Sequence, residues 1–593
     1  MSPINYISHL LLLLLASVCS AKVFNSVGQL PTTEFDFVIV GGGTAGSVLA
    51  SRLTEVSNFT VLLIEAGPSN ANILDSEVPF FWQNLQGSRY DWNFTSVAQP
   101  ALNNRTLAYA RGRVLGGSSS INAMFYTRGS RDDYDRWAKV TGDKGWSWDS
   151  LFPYFLKHER LTQPADHHSI VGEYDPAVHG FNGMTFTSLP GFVQEIDPRV
   201  IQASSGLGGP FQFNIDQNSG TPLGLTYFQG TIGNGTRSSA ATSYLGANVV
   251  KRPNLFIVLD TFVTRILPVT QGNSTKPVFN SVEVLVGGNT TVLHAKKELI
   301  LSAGSIGTPH ILLHSGIGDS DELKQLNITP TLNLPSVGKN LTDHGLIDVS
   351  WVANTTSIVD LINTNATVRA HFLEQWKETG TGPLGNGFGN NIIWMRLPEN
   401  STAISEFGDP SAGVNSPQYE IVIAALGTSS TGDHLVGVGN AIVSTASRGT
   451  LSIPSNNPTD APLIDSRLLS SEIEMVFARE SIRSARQFMA AQAWNGYILN
   501  ELPATANATT DDELDAYIRE TVISAWHPVG TAAMSATDAG YGVVDPDLLV
   551  KGTTGLRIVD ASIMPFVIAG HTQTPVYVIA ERAADMIKDT WVF

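Results

Sequence analysis

The sequence predicts an α/β fold, and three observations predict it. From Glu34 to Gly67 a short β-branched run, a glycine-rich loop, a helix-like run and a second apolar run succeed one another as a βαβ unit would. Further on, Glu298-Leu299-Ile300-Leu301-Ser302-Ala303-Gly304 reads as another buried strand ending at a turn. Composition agrees: 42% apolar and 15% charged residues make a globular chain, and 54 glycines with 30 prolines supply many turns and irregular connections.

The first strand, Phe35-Asp36-Phe37-Val38-Ile39-Val40, stops at three glycines. Gly41-Gly42-Gly43-Thr44-Ala45-Gly46 satisfies G-x-G-x-x-G: Gly41 permits the tight turn, Gly43 lets the backbone approach a pyrophosphate, and Gly46 lets the helix pack closely. The helix then opens at Thr44 and Ala45 with its N–H groups toward the phosphates. Ala45, Ser47, Val48, Leu49, Ala50 and Leu53 continue it with small and apolar residues at helical spacing. Val61-Leu62-Leu63-Ile64 is the second strand, and it ends in Glu65, about 20 residues beyond the loop, where a carboxylate can accept hydrogen bonds from an adenosine ribose. A structural glycine turn would need neither the flanking elements nor that acid, so the stretch is read as a Rossmann-like dinucleotide-binding unit.

The 593 residues suffice for a large core in two lobes. With 36 basic against 53 acidic residues the net charge is −17, which disfavours nucleic acid and anionic membranes as partners. Residues 1–21 read as a secretory leader: Leu10 to Leu15 is an unbroken apolar run, followed by Ala16-Ser17-Val18-Cys19-Ser20-Ala21, although no Lys or Arg precedes it. The run is too short to span a bilayer. Cys19 is the only cysteine, so a mature chain has neither disulfide nor thiol chemistry. About twelve N-x-[ST] sequons, among them those at Asn58, Asn93, Asn104, Asn234 and Asn507, point the same way, to a secreted glycoprotein.

Between Asn70 and Asn104 lie Phe80, Phe81, Trp82, Tyr90, Trp92 and Phe94, read as packing under a long loop. Next comes Arg111-Gly112-Arg113-Val114-Leu115-Gly116-Gly117-Ser118-Ser119-Ser120-Ile121-Asn122, whose donors can wrap an anion or a planar polar ring, or form a solvated turn. This run, with Tyr126 and Gly129, resembles the first signature of the glucose-methanol-choline (GMC) family of FAD oxidoreductases. The segment from Gly304 to Gly318 is similar to the second signature, and Pro335 to His344 to a further family segment, so the resemblance covers Phe35 to about Lys588.

The resemblance implies an FAD-binding domain over about 33–345 with substrate-domain insertions near 150–215, an antiparallel sheet with helices over about 346–520 covering the flavin, and a C-terminal return over 521–593. Tyr419 to Ala425 and Asn440 to Ser444 are strand-like there, and Glu472 to Ala493 helix-like. It implies bound FAD, with contacts at Arg113, Gly117, Ser118, Asn122, Ala123, Val263, Asp560, Ala561 and Thr572 beside those of the first loop. The flavin is expected without a covalent link, because family members with histidyl attachment carry the histidine where this chain has Ile121.

Taken singly, most of the 13 histidines are surface or core residues. His527, in Trp526-His527-Pro528, and His571, in Gly570-His571-Thr572, match the family's active-site pair. By that likeness His527 is the base that takes an alcohol's proton and His571 the group that hydrogen-bonds the substrate oxygen. An imidazole of ordinary pKa would lose activity below about pH 6. The expected partners are a small alcohol and O2 or another electron acceptor, with no metal and a monomeric chain.

Among family members the chain most resembles fungal aryl-alcohol oxidases, on Asp91-Trp92-Asn93, the Arg113–Ser120 run, Ala177 to Gly183, Gly233-Asn234-Gly235 and Gly542 to Leu548. Three places depart: Ala123 replaces a tyrosine, Trp526 replaces a phenylalanine, and Ala425 to Ser430 reads as a short loop without an aromatic. The expected substrates are therefore aryl or allylic primary alcohols entering by a widened channel in which Trp526 keeps the one aromatic face. The alternatives are a sugar or furan-alcohol oxidoreductase, a cyanohydrin lyase that holds FAD without redox turnover, and a secreted binding protein.

Overall fold

The computed structural model describes residues 22–269, 276–387, 389–429 and 432–592; the leader expected at 1–21, with Cys19, lies outside the described residues. Two sheets organise the chain. The first has eight strands in the order Val23–Phe24, Leu255–Val258, Val61–Ile64, Glu34–Val40, Asn289–Leu301, Val278–Val286 and Phe262–Val269, with Leu556–Ile558 also paired to Asn289–Leu301. Its centre is parallel: Val38 lies beside Leu62 on one side and Leu299 on the other, and all three are fully buried. That burial on both faces is why these strands read as unbroken apolar runs. Asn289–Leu301 pairs antiparallel with Val278–Val286 over its first half and parallel with Glu34–Val40 over its second, so one long strand joins a hairpin to the βαβ core.

The helices Thr44–Leu53 and Gln573–Trp591 pack together. Arg52 Nε and Nη2 donate to the buried Glu581 carboxylate at 2.9 and 2.8 Å, and the Tyr244 hydroxyl donates to the same group at 2.6 Å. A charge-assisted fork of this kind holds the last helix on the first and so returns the C-terminal segment to the nucleotide domain.

The second sheet has seven strands, all antiparallel, in the order Ile498–Glu501, Gly345–Ala353, His434–Ile442, Tyr419–Thr428, Asn391–Met395 and Gly224–Tyr227, with Ile523–Ser524 also on Gly345–Ala353. One face packs on the helix Glu472–Met489, where the Tyr419 hydroxyl meets Ser484 Oγ at 3.0 Å. The other carries Ile392, Trp394, Val422, Ala441 and Val443 in an apolar layer with Phe125 and Phe228. Two strands of this sheet, Gly224–Tyr227 and Ile523–Ser524, fall outside the segments expected to build it, since pairings across so much chain leave no local signal. Of the stretch read as a short loop after Ala424, Ala425 to Thr428 are strand: Tyr419–Thr428 continues through an irregularity between Ala425 and Gly427 to pair Thr428 with His434, and the turn begins at Ser429. Of that stretch, Ser430 lies outside the described residues. Among the described residues no helix is long and apolar enough to cross a membrane.

Candidate active site

The nucleotide cradle is built where the first loop meets the Gly/Ser run. Gly41 has φ +103°, and a Cβ there would stand 2.4 Å from the Ser302 carbonyl oxygen; one on Gly46 would stand 1.9 Å from the Gly41 carbonyl oxygen. Only glycine satisfies both positions. Gly43 is the N-cap of Thr44–Leu53 without a side-chain cap, and no acid occupies the first turn. The N–H groups at Thr44, Ala45 and Gly46 thus form an open, positive helix end. Gly117, at φ +55°, brings the Gly/Ser run so close that its Cβ would lie 2.7 Å from Gly43 Cα.

Several expected contact residues brace this cradle from within. Glu65 Oε2 accepts the Gly42 N–H at 2.9 Å and Oε1 the Gly67 N–H at 2.8 Å, and burial pushes its pKa up to about 7. Its backbone oxygen accepts the Thr261 N–H at 3.0 Å, which sets the strand bearing buried Val263 alongside. Ser118 Oγ accepts the Gly112 N–H at 3.1 Å, and the Arg113 guanidinium lies 5.2 Å from the Trp92 ring centre. Asn122 Oδ1 accepts from Arg237 at 2.8 Å, and its amide donates to Gln573. Asp560 uses both oxygens internally: Gly304 N–H and Thr308 Oγ1 donate to one, at 2.9 and 2.6 Å, and Ser562 to the other. What Asp560 contributes to a cofactor is thus the placement of Ala561, which follows it. Thr572 caps the helix Gln573–Trp591 through its backbone alone. An open helix end, glycines where any side chain would collide and a carboxylate at the second strand's tip together fit the phosphate and ribose half of FAD.

His527 and His571 are brought together, with ring centres 4.7 Å apart and planes at 78°. His527 is aimed by a small hub. Asp343, buried, accepts the backbone N–H of both His344 and His527 at 2.8 Å through Oδ1 and the Ser524 hydroxyl through Oδ2. Trp526, just before, stands at φ +59°, an uncommon conformation for a bulky residue, fixed by Ser524 Oγ accepting its N–H at 2.8 Å and by the Arg111 guanidinium on its carbonyl. His344 Nδ1 meets His527 Nδ1 at 3.1 Å.

His571 is held by its backbone N–H on Thr127 Oγ1 at 2.8 Å and by Nε2 against Glu420 Oε1 at 3.1 Å, which leaves Nδ1 without a partner among the described residues. The Phe125 ring stacks on it at 4.2 Å and 11°. Phe228 meets Phe125 edge-on at 4.8 Å, and the Trp394 ring lies 6.5 Å from His571.

Burial, followed by His571, His344 and Arg111, pushes the His527 pKa well below 6.5. Burial, with His571, pushes His344 down to about 3. That direction moves the expected fall in activity to a pH lower than the value near 6 that an ordinary imidazole suggests, because His527 then stays neutral and able to accept a proton into more acid conditions.

The Trp526 indole N–H donates to the Ala108 carbonyl at 3.1 Å, and further aromatic rings gather at the other histidine, where Phe125 stacks on His571, Phe228 meets Phe125 and Trp394 lies 6.5 Å from His571. Ala123 does lie here, packed against the Phe125 cluster. Phe80 and Trp82, read as loop packing, line a cavity of about 80 Å³ with Phe192 and Ala425. Sequence reasoning missed Glu420, Phe125, Trp394 and the hub at Asp343; the last had a signal, since Asp343-His344 closes a family-like segment.

Known proteins resemble this chain along most of its length. Family models described as GMC oxidoreductase match residues 35–346 and 445–580. A protein named Dehydrogenase eriK, from Hericium erinaceus, is 42% identical over 97% of this chain and 98% of its own length. A pyranose dehydrogenase of Agaricus campestris is 40% identical, with 96% of each chain covered. Among solved structures, a fungal aryl-alcohol oxidase superposes with TM-score 0.82 at 29% identity, covering 95% of this chain and 100% of that one.

Proposed function

The chain belongs to the GMC oxidoreductases, and from that membership we propose that this FAD-dependent oxidoreductase converts an alcohol to its aldehyde or ketone. When bound, FAD supplies the two-electron acceptor for the hydride leaving the α-carbon. His527 takes the hydroxyl proton, and its neutral imidazole makes it available for that task at neutral pH. His571 answers the negative charge that develops on the substrate oxygen through an Nδ1–H, which requires that its Nε2 contact with Glu420 Oε1 hold a further proton. Asp343 fixes the backbone of His527, and the apolar sheet face keeps water from the pair. The observation that carries this reading is the His527 ring 4.7 Å from His571, which itself stacks on Phe125.

The rings gathered at His571 suit aryl and allylic primary alcohols, each good ring contact adding about 0.5–1.5 kcal/mol. A second reading, dehydrogenation of a sugar, draws on Glu420, a buried carboxylate beside the same histidine with no partner for Oε2 among the described residues, and on the relatives named pyranose dehydrogenases. Initial rates with benzylic alcohols and with monosaccharides, each followed by peroxide release and by reduction of a quinone, separate the two substrates and the two acceptors. No turnover with either class would overturn both readings.

FAD is held without a covalent link in this proposal: Ile121 is buried with Ile73, Leu85 and Val114 and has no nucleophilic atom. Acid precipitation should release yellow flavin into the supernatant, and colour left in the denatured pellet would refute it. The leader-like 1–21 and the sequons support secretion as a glycoprotein.

A further inference from the structure

The contact between His344 Nδ1 and His527 Nδ1, at 3.1 Å with the rings nearly perpendicular, poses a question of protons. A neutral imidazole carries one N–H, so one of the two nitrogens donates and the other accepts. If His344 donates, the His527 proton sits on Nε2 and that nitrogen cannot act as a base. If His527 donates from Nδ1, its Nε2 keeps a free lone pair. The choice turns on which nitrogen of His344 carries its own proton. Its Nε2 is buried without a hydrogen bond among the described residues, and the influence of the Val443 backbone favours an added proton on the ring. A proton on Nε2 leaves Nδ1 as the acceptor.

The other groups facing His527 do not compete for this role. Arg111 and His571 bear on its ring electrostatically, and Asp343 is spent on the backbone N–H groups of His344 and His527 and on Ser524. Among the described residues His527 Nε2 has no hydrogen-bond partner, as a nitrogen reserved for substrate requires. We infer that His344 is a positioning residue that accepts the His527 Nδ1–H and thereby holds His527 in the tautomer whose Nε2 is the base.

The inference rests on His527 being that base. Leucine at 344 removes the acceptor, whereas asparagine places Oδ1 where Nδ1 stood. In the FAD-loaded enzyme, His344→Leu should slow anaerobic flavin reduction by about three- to tenfold, the worth of one buried neutral hydrogen bond, with KM unchanged. His344→Asn should recover to within about threefold of the parent. Long-range ¹H–¹⁵N correlation on ¹⁵N-histidine protein should show His527 protonated at Nδ1 and bare at Nε2. A proton on Nε2 in the parent, or equal rates in the Leu and Asn variants, overturns the role of His344 while leaving His527 as base. Parent-like reduction in His527→Ala would instead overturn the base itself, and the parent spectrum decides the tautomer even where a variant does not fold.

Discussion

Removing the Asp343 carboxylate should unfasten the histidine pair and weaken the fold together. Its Oδ1 accepts two backbone N–H groups at 2.8 Å, from His344 and His527, and Oδ2 takes the Ser524 hydroxyl. In Asp343→Ala the buried His344 N–H and the partly buried His527 N–H lose their acceptor, and each such loss costs up to about 1–3 kcal/mol. The carboxylate's own burial, which raises its pKa, is a cost the alanine variant no longer bears, so a net loss of about 2–4 kcal/mol is expected. Asp343→Asn keeps an oxygen for the two N–H groups and should stay within about 1 kcal/mol of the parent. Urea denaturation followed by flavin fluorescence and by circular dichroism gives the stability, and stopped-flow reduction under nitrogen gives the effect on His527. An alanine variant as stable as asparagine, with an unchanged reduction rate, would mean that Asp343 neither anchors nor aims the base.

Two other outcomes follow from the site. The required form of His527 is the neutral one and its pKa lies well below 6.5, so the acid limb of flavin reduction should lie well below pH 6.5, whereas a limb centred between about 6 and 7 would show an unperturbed imidazole. Ala123→Tyr, beside the Phe125 cluster, should lower kcat/KM for a bulky ring-substituted alcohol more than for a small benzylic one; a ratio changed by less than about twofold would place Ala123 off the substrate path.

The nucleotide half of the site was legible because its constraints are local. Gly46 is dictated by the Gly41 carbonyl oxygen of the same loop, although the oxygen that confines Gly41 belongs to Ser302, distant in sequence, and the Val38 and Leu62 strands read as apolar runs because both their faces are covered. The two histidines were legible through the motifs around them. Glu420 was not, because alternation within Tyr419–Thr428 shows which face a residue occupies and not that His571, brought from 151 positions away, lies above it. The stack of Phe125 on His571 is equally long-range. The extra strand at Ala425 to Thr428 escaped notice because Gly427 and the serines after it resemble turn residues, while pairing with His434 and Leu435 overrides that preference. The depressed pKa of His527 arises from burial and from three neighbours that are distant in sequence, so residue type alone suggested an ordinary imidazole.

The assignment of His527 as the proton acceptor is tested most directly by single-turnover reduction of FAD-loaded His527→Ala with a benzylic alcohol or a monosaccharide under nitrogen. The variant should keep its yellow flavin and reduce it about 10²- to 10⁴-fold more slowly than the parent. Full FAD content with reduction at the parent rate would contradict the assignment.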